Sequence, residues 1–270
     1  MRFESFDTPG PLRLDLRLPS GSISLEAIDE PRAEVELDAT HDSEELREII
    51  DNARIELRPY ADGHELIVDV HQKRFRFFDF MRGDIVLRVR APRESDVEVS
   101  TASADTNARG TWGELKAQTA SGDLYVDELT GNVNVKSASA DVQLRNIGGN
   151  ATVNSASGDV EIRRVGGDLV VRSASGDVEI EEAHGSVTIQ TASGDQRIGA
   201  VSAGRVTMQS ASGDQTVGIR RGSRVFIDAK TMSGDTTSEL DVGDEPVSGE
   251  GPEVEVLATA MSGDIRIVRA

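Results

Sequence analysis

Apolar residues recur along this chain at fixed offsets from an aspartate. One position after Asp123, Asp141, Asp159 and Asp177 stand Leu124, Val142, Val160 and Val178. Three after stand Val126, Leu144, Ile162 and Ile180, and six after stand Leu129, Ile147 and Val165. Further on come the pairs Val133/Val135, Ala151/Val153, Leu169/Val171 and Val187/Ile189, with Asn134, Thr152 and Thr188 between the members of their pairs. Gly113, Gly131, Gly149, Gly167 and Gly185 separate the two runs. Alternation with a period of two predicts two short strands per unit, each with one buried row, joined by glycine-bearing turns.

The unit closes on a Thr/Ser-Ala/Met-Ser-Gly/Ala-Asp motif. Its aspartates are Asp105, Asp123, Asp141, Asp159, Asp177, Asp195, Asp214, Asp235 and Asp264; the first six are 18 residues apart, and the later gaps are 19, 21 and 29. The octapeptide SASGDVEI occurs twice, at 155–162 and 173–180. A unit of this length has no room for a helix, and it buries only one apolar row. Stacked in register, such units share a continuous core. The pattern therefore predicts an all-β fold, a single-stranded β-solenoid (β-helix) with coils at a strand spacing of about 4.8 Å. Six-residue steps from Val142 land on Gly148 and Asn154, which excludes the left-handed hexapeptide helix. Crossover chirality favours a right-handed winding.

Both ends depart from the unit. Within 1–90 the pattern predicts strands at 12–18, 22–28, 33–39, 53–59 and 64–70, and a short helix at 42–50 capped by Asp42 or Ser43. This region reads as an irregular cap of opening coils, with the repeat solenoid over 91–270 in one continuous domain. An acidic Gly/Pro loop at 239–253 precedes the last coil, VEVLATAMSGDIRIV.

Composition narrows the function. The 270 residues carry a net charge of −19, which disfavours binding to a phosphate backbone and so a nucleic-acid partner. There is no cysteine, so disulfides, thiolate metal sites and a cysteine nucleophile are excluded. No run approaches the ~18 consecutive apolar residues of a membrane span. With Met1 as the native start, the expectation is a cytoplasmic protein.

The extended strand, proline and first turn of DIVLRVRAPRESDVEVSTASAD (84–105), followed by the tandem TASGD-type units, resemble a known family. It is the bacterial adhesin-type β-strand-repeat family, a domain of unknown function, in its actinobacterial branch. The resemblance covers most of the chain and is most specific over 84–270. It implies a β-helical fold and no catalytic residues.

Three features carry candidate chemistry. Stacked, the aspartates Asp123, Asp141, Asp159, Asp177 and Asp195 would lie about 5 Å apart, a repulsion of ~0.8 kcal/mol per neighbour in water. Two readings fit: each carboxylate caps its own turn by accepting N–H bonds, or the row binds calcium or another hard cation. The Ser/Thr rows beside them predict hydrogen-bonded ladders. The stretch RFRFFDFMR (74–82) places Arg74, Phe75, Arg76, Phe77, Phe78 and Phe80 together in an acidic chain. It is either a strand or loop over the open end, or a contact for a protein partner, a second copy or a membrane surface. The histidines His41, His64, His71 and His184 are scattered. The leading expectation is a non-enzymatic, adhesin-like interaction scaffold without a cofactor. The alternatives are a self-assembling β-helix, whose open end stacks on another copy, and a carbohydrate-active enzyme.

Overall fold

In a computed structural model the described residues are 1–41, 43–61, 63–70, 85–240 and 251–270. They form two compact units, Met1–Ala140 and Asp141–Ala270. In each unit the strands fall into two sheets.

The second unit shows the repeat in its plainest form. Strands Val142–Ile147, Val160–Val165, Val178–Ala183, Gln196–Val201 and Gln215–Ile219 pair in parallel in one sheet. Strands Ala151–Ser155, Leu169–Ser173, Val187–Ser193 and Gly204–Ser212 do so in the other. The register sets Val142 beside Val160, Val160 beside Val178 and Val178 beside Gln196. Each repeat thus lays its apolar row on the same row of its neighbour, and Val160, Ile162, Val165, Leu169 and Val171 are all buried. The offsets of one, three and six after the aspartate are explained by a corner. Arg163 and Arg164 both face outward, so the next residue, Val165, turns back into the core.

The closing turn comes in two forms. Gly158, Gly176, Gly194, Gly213, Gly234 and Gly263 have φ between +97° and +137°. A Cβ on Gly176 would stand 2.3 Å from the Gly158 carbonyl oxygen, and one on Gly194 would stand 2.3 Å from that of Gly176. The turns at Ala104, Gly122 and Ala140 take the other form: the two alanines bury their methyl groups, and Gly122 between them has no positive φ although it is glycine. The Ser/Thr rows are not the ladders expected of them. Ser155 Oγ donates to the Ser157 carbonyl and Ser173 Oγ to that of Ser175, both at 2.6 Å. The hydroxyls close their own turns, and a bond between rows is found at Thr191–Ser210.

Spatial order departs from chain order at the C-terminal end. The coil made of Glu253–Ser262 and Ile265–Arg269 lies between the coil of Gly204–Ile219 and the coil of Arg224–Ser238. Val256 is beside Val206 on one side and Ile227 on the other. The last coil in sequence is therefore an inner coil, and the one before it closes the stack. The expectation that each copy sits on its predecessor fails here.

The first unit repeats this exchange. The coil of Arg13–Leu18 and Gly21–Ile28 lies between Gly63–Asp69 with Ile85–Pro92 and Asp96–Thr101 with Asp105–Trp112. Leu14 is flanked by Leu66 and Val97, and Leu16 by Val68 and Val99, all buried. Outside these coils the pairing turns antiparallel: Arg32–Ala39 on Ile85–Pro92, Arg2–Asp7 on Arg32–Ala39, and Arg54–Tyr60 on Gly63–Asp69. On these strands the parallel stacking gives way to antiparallel pairing. The helix runs Glu44–Asn52, buries Leu46 and Ile50, and starts at Ser43 without a side-chain cap bond.

Two core positions break the apolar rule. Gln196 and Gln215 occupy the place of Val160 and Val178 and are buried to 1% and 0% exposure. Each donates from Nε2, Gln196 to Thr191 Oγ1 and the Gln209 carbonyl, Gln215 to the Thr259 carbonyl. Neither Oε1 has a partner, an internal polar defect in an otherwise dry row.

Candidate functional site

The strand Arg13–Leu18 alternates leucines inward with Arg13, Asp15 and Arg17 outward. Because its coil is interposed, both of its neighbours present charges to the same face: Glu65 and Asp69 from one side, Glu98 from the other. Arg13 reaches both, with Nε 3.3 Å from Glu65 and a short hydrogen bond to Glu98. Arg58 lies 2.6 Å from Glu65, and Lys116 Nζ donates to Glu98 at 2.5 Å. Arg17 pairs with Asp15 at 2.7 Å and lies 3.8 Å from Asp69. The Arg13 guanidinium sits 5.0 Å above the Tyr60 ring and donates to its hydroxyl.

Glu65, Asp15 and Asp69 are at most 8% exposed, so their charges depend on these cations. The hydrogen bond from Lys116 holds the Glu98 carboxyl below the ordinary range; burial opposes this and Arg13 reinforces it. A carboxyl depressed in the folded state contributes stability that is present above the unfolded pKa. That stability is lost as pH falls through the folded value. Glu98→Gln is therefore expected to cost on the order of 1 kcal/mol at neutral pH. It should also flatten the acid limb of stability, read by chemical unfolding in a pH series; an unchanged acid limb would remove Glu98 from the lattice.

Next to this lattice is a groove of about 780 Å³, lined among others by Arg17, Asp69, Gln118, Thr119, Lys136 and Ser137. Its lining includes the cations of Arg17 and Lys136, the Gln118 amide and the apolar Leu18, Pro19 and Val70, while the Thr119 and Ser137 hydroxyls bond to backbone groups of their own turns. Such a lining presents charge and hydrogen-bonding groups beside apolar surface.

The aspartate row has a specific job. Asp159 Oδ1 accepts the N–H of Asp177 at 2.8 Å, and Asp177 Oδ1 accepts that of Asp195 at 2.8 Å. Asp141 serves Asp159 and Asp105 serves Asp123 in the same way. The row ends Asp195, Asp214, Asp264, Asp235, which reproduces the exchanged coil order. The carboxylates thus cap the turn of the adjacent coil. Among the described residues no three His, Asp or Glu side chains lie close enough together to hold a metal ion. Asp177→Asn keeps the acceptor and removes a like charge, so unchanged or higher stability is expected. Asp177→Ala should lose about 1 kcal/mol. Thermal unfolding in calcium and in chelator, at matched ionic strength, should give the same ranking; a calcium-dependent gain abolished by Asp177→Asn would make the row a cation site.

Of the other sequence candidates, Arg74, Phe75, Arg76, Phe77, Phe78 and Phe80 lie outside the described residues, as does His71. His41 Nδ1 lies 3.0 Å from the hydroxyl of the adjacent Thr40, and His64 Nδ1 is buried without a hydrogen-bond partner. One linear constellation does form: Ser202 Oγ is 3.2 Å from His184 Nδ1, and His184 Nε2 is 3.8 Å from Glu182. Glu182 is held by Arg164 and Arg220, each at 3.0 Å, and its carboxyl is depressed chiefly by the Arg164 hydrogen bond. A carboxylate so engaged is a poor orienter for histidine, and the row is solvent-exposed.

The repeat, the stacked parallel sheets and the glycine column find a counterpart among known families: the Toastrack DUF4097 family matches residues 15–268. The chain belongs to the Toastrack DUF4097 family. Solved structures similar to this Toastrack chain include a "putative adhesin" from Bacteroides fragilis, at 12% identity and a TM-score of 0.49, covering 99% of this chain and 96% of that one. A "putative lipid binding protein" from Parabacteroides distasonis matches at 12% and 0.43 with the same coverage. A "putative cell adhesion protein" from Clostridium sporogenes matches at 11% and 0.34, over 100% of this chain and 98% of that one. A comparison with curated proteins returns no match.

Proposed function

We propose that the protein is a non-enzymatic, adhesin-like interaction scaffold that engages a protein partner through the outer face of its first unit. The observation that supports this is the groove beside a fixed charge lattice. Arg13, Arg58, Glu65, Glu98 and Lys116 are mutually paired on adjacent strands, so the surface around the groove is ordered before a partner arrives. A preordered polar surface loses little side-chain entropy on binding. Its chemistry suits recognition: the cations of Arg17 and Lys136 and the amide of Gln118 line one recess. We further infer a right-handed winding of 18-residue coils, on the crossover preference of parallel strands.

The test is capture of partners from the surface extract of the producing cells on the immobilised full chain, beside the variants Lys136→Glu and Arg17→Glu. A saturable partner retained by the parent chain and lost by Lys136→Glu supports the reading. Capture indistinguishable between the chains would overturn it.

A further inference from the structure

The strand Arg224–Ser233 closes one sheet of the second unit. Among the described residues its outer edge has no paired strand. The Arg224 N–H donates to the Pro252 carbonyl, so Arg224, Phe226, Asp228 and Lys230 turn their backbone groups toward Glu253–Ser262; the alternation ends at Met232, since the Ser233 carbonyl accepts from Gly263. Val225, Ile227, Ala229 and Thr231 then turn theirs to the open side. A row of unpaired N–H and C=O groups is a template for another strand.

The side chains of this strand are symmetric about Ala229. Asp228 and Lys230 flank it by one residue, Ile227 and Thr231 by two, Phe226 and Met232 by three. Phe226, Asp228, Lys230 and Met232 face outward; Phe226 is 58% and Met232 83% exposed. Ile227 and Val225 continue the buried row of Val256 and Val254 but remain half-exposed.

We infer that this edge pairs antiparallel with the same edge of a second copy, about a two-fold axis at Ala229. In that register Asp228 and Lys230, which pair with each other at 2.8 Å within the strand, each gain a second opposite charge across the axis. Ala229 meets the second copy's Ala229, and Ile227 its Thr231, and all four have backbone groups directed at the edge, so these are the hydrogen-bonded pairs. Asp228 meets the second copy's Lys230, and Phe226 its Met232, as non-hydrogen-bonded pairs, where side chains approach most closely. Opposite charges meet at the centre, and a thioether meets an aromatic ring on each side. The interface uses the same patch on both copies, so it closes as a dimer and does not propagate into a filament. A register shift by two residues in either direction would set Asp228 against Asp228 or Lys230 against Lys230, which fixes the alignment.

Sedimentation velocity on the whole chain tests this. The parent chain should dimerise with concentration. Asp228→Lys and Lys230→Asp should each weaken the dimer at least about tenfold, because each turns both charge pairs into like-charge oppositions. The double exchange Asp228→Lys/Lys230→Asp should restore it. Ala229→Pro removes an N–H the fold does not use, so it should weaken the dimer while far-UV dichroism and thermal unfolding stay near the parent. A chain that stays monomeric up to its solubility limit overturns the inference. So does a dimer indifferent to Asp228→Lys, or one the double exchange fails to restore.

Discussion

Gly176→Ala is expected to destabilise the second unit by about 3 kcal/mol or more. Two costs add. The backbone at Gly176 has φ +108°, where an L side chain is strained by ~1–2 kcal/mol. The new methyl would also stand 2.3 Å from the Gly158 carbonyl oxygen and 2.8 Å from its carbon. These are backbone atoms of the adjacent coil, which cannot swing aside as a side chain would. Relief requires spreading two coils, and that disturbs the Asp177 N–H bond to Asp159 in the same turn. Urea unfolding would measure the loss. Gly10, whose Cβ would meet nothing within 4 Å, is the matched control and should tolerate alanine with little change. Equal effects at the two sites would refute the stacked glycine column.

Removing residues 253–270 should have the other large effect. In a stack built in chain order, trimming the last coil shortens the array by one unit. Here it removes an inner coil. Val254, Val256, Ala258, Ala260, Ile265 and Ile267 are all at most 1% exposed. Their burial contributes on the order of 10 kcal/mol before entropy is subtracted. The loss also strands the coil of Arg224–Ser238, which pairs with no other strand among the described residues. The truncated chain should lose order over 204–238 as well, read as new protease-sensitive sites upstream of the cut. Protection of 224–238 in the truncated chain would contradict the interposed coil.

The strands were legible in the sequence because their inner rows recur. Val160, Ile162 and Val165 reappear as Val178, Ile180 and Ala183, and a period of two has few other readings. The order of the end coils was not legible, for a reason in the same pattern. An in-register stack accepts any coil beside any other, since Val256 packs as well on Val206 as on Ile227. Only the longer gaps before Asp235 and Asp264 hint at a break. The charge lattice of the first unit was half legible. LRLDLRL announces Arg13, Asp15 and Arg17 on one face, but their partners Glu65 and Glu98 come from coils far apart in sequence. The aspartate turns were readable as caps, but the N–H each one caps belongs to the adjacent coil.

The exchanged order can be measured directly, because the chain has no cysteine of its own. Gln209, Thr259 and Lys230 stand in one outward row, with Thr259 beside both of the others. Adjacent strands at about 4.8 Å are within disulfide reach, and strands two layers apart are not. Oxidation of the full chain should close an intramolecular disulfide in Gln209→Cys/Thr259→Cys and in Thr259→Cys/Lys230→Cys, but not in Gln209→Cys/Lys230→Cys. A disulfide within one chain between positions 209 and 230, without one between 209 and 259, would mean that the coils stack in chain order and would contradict the account.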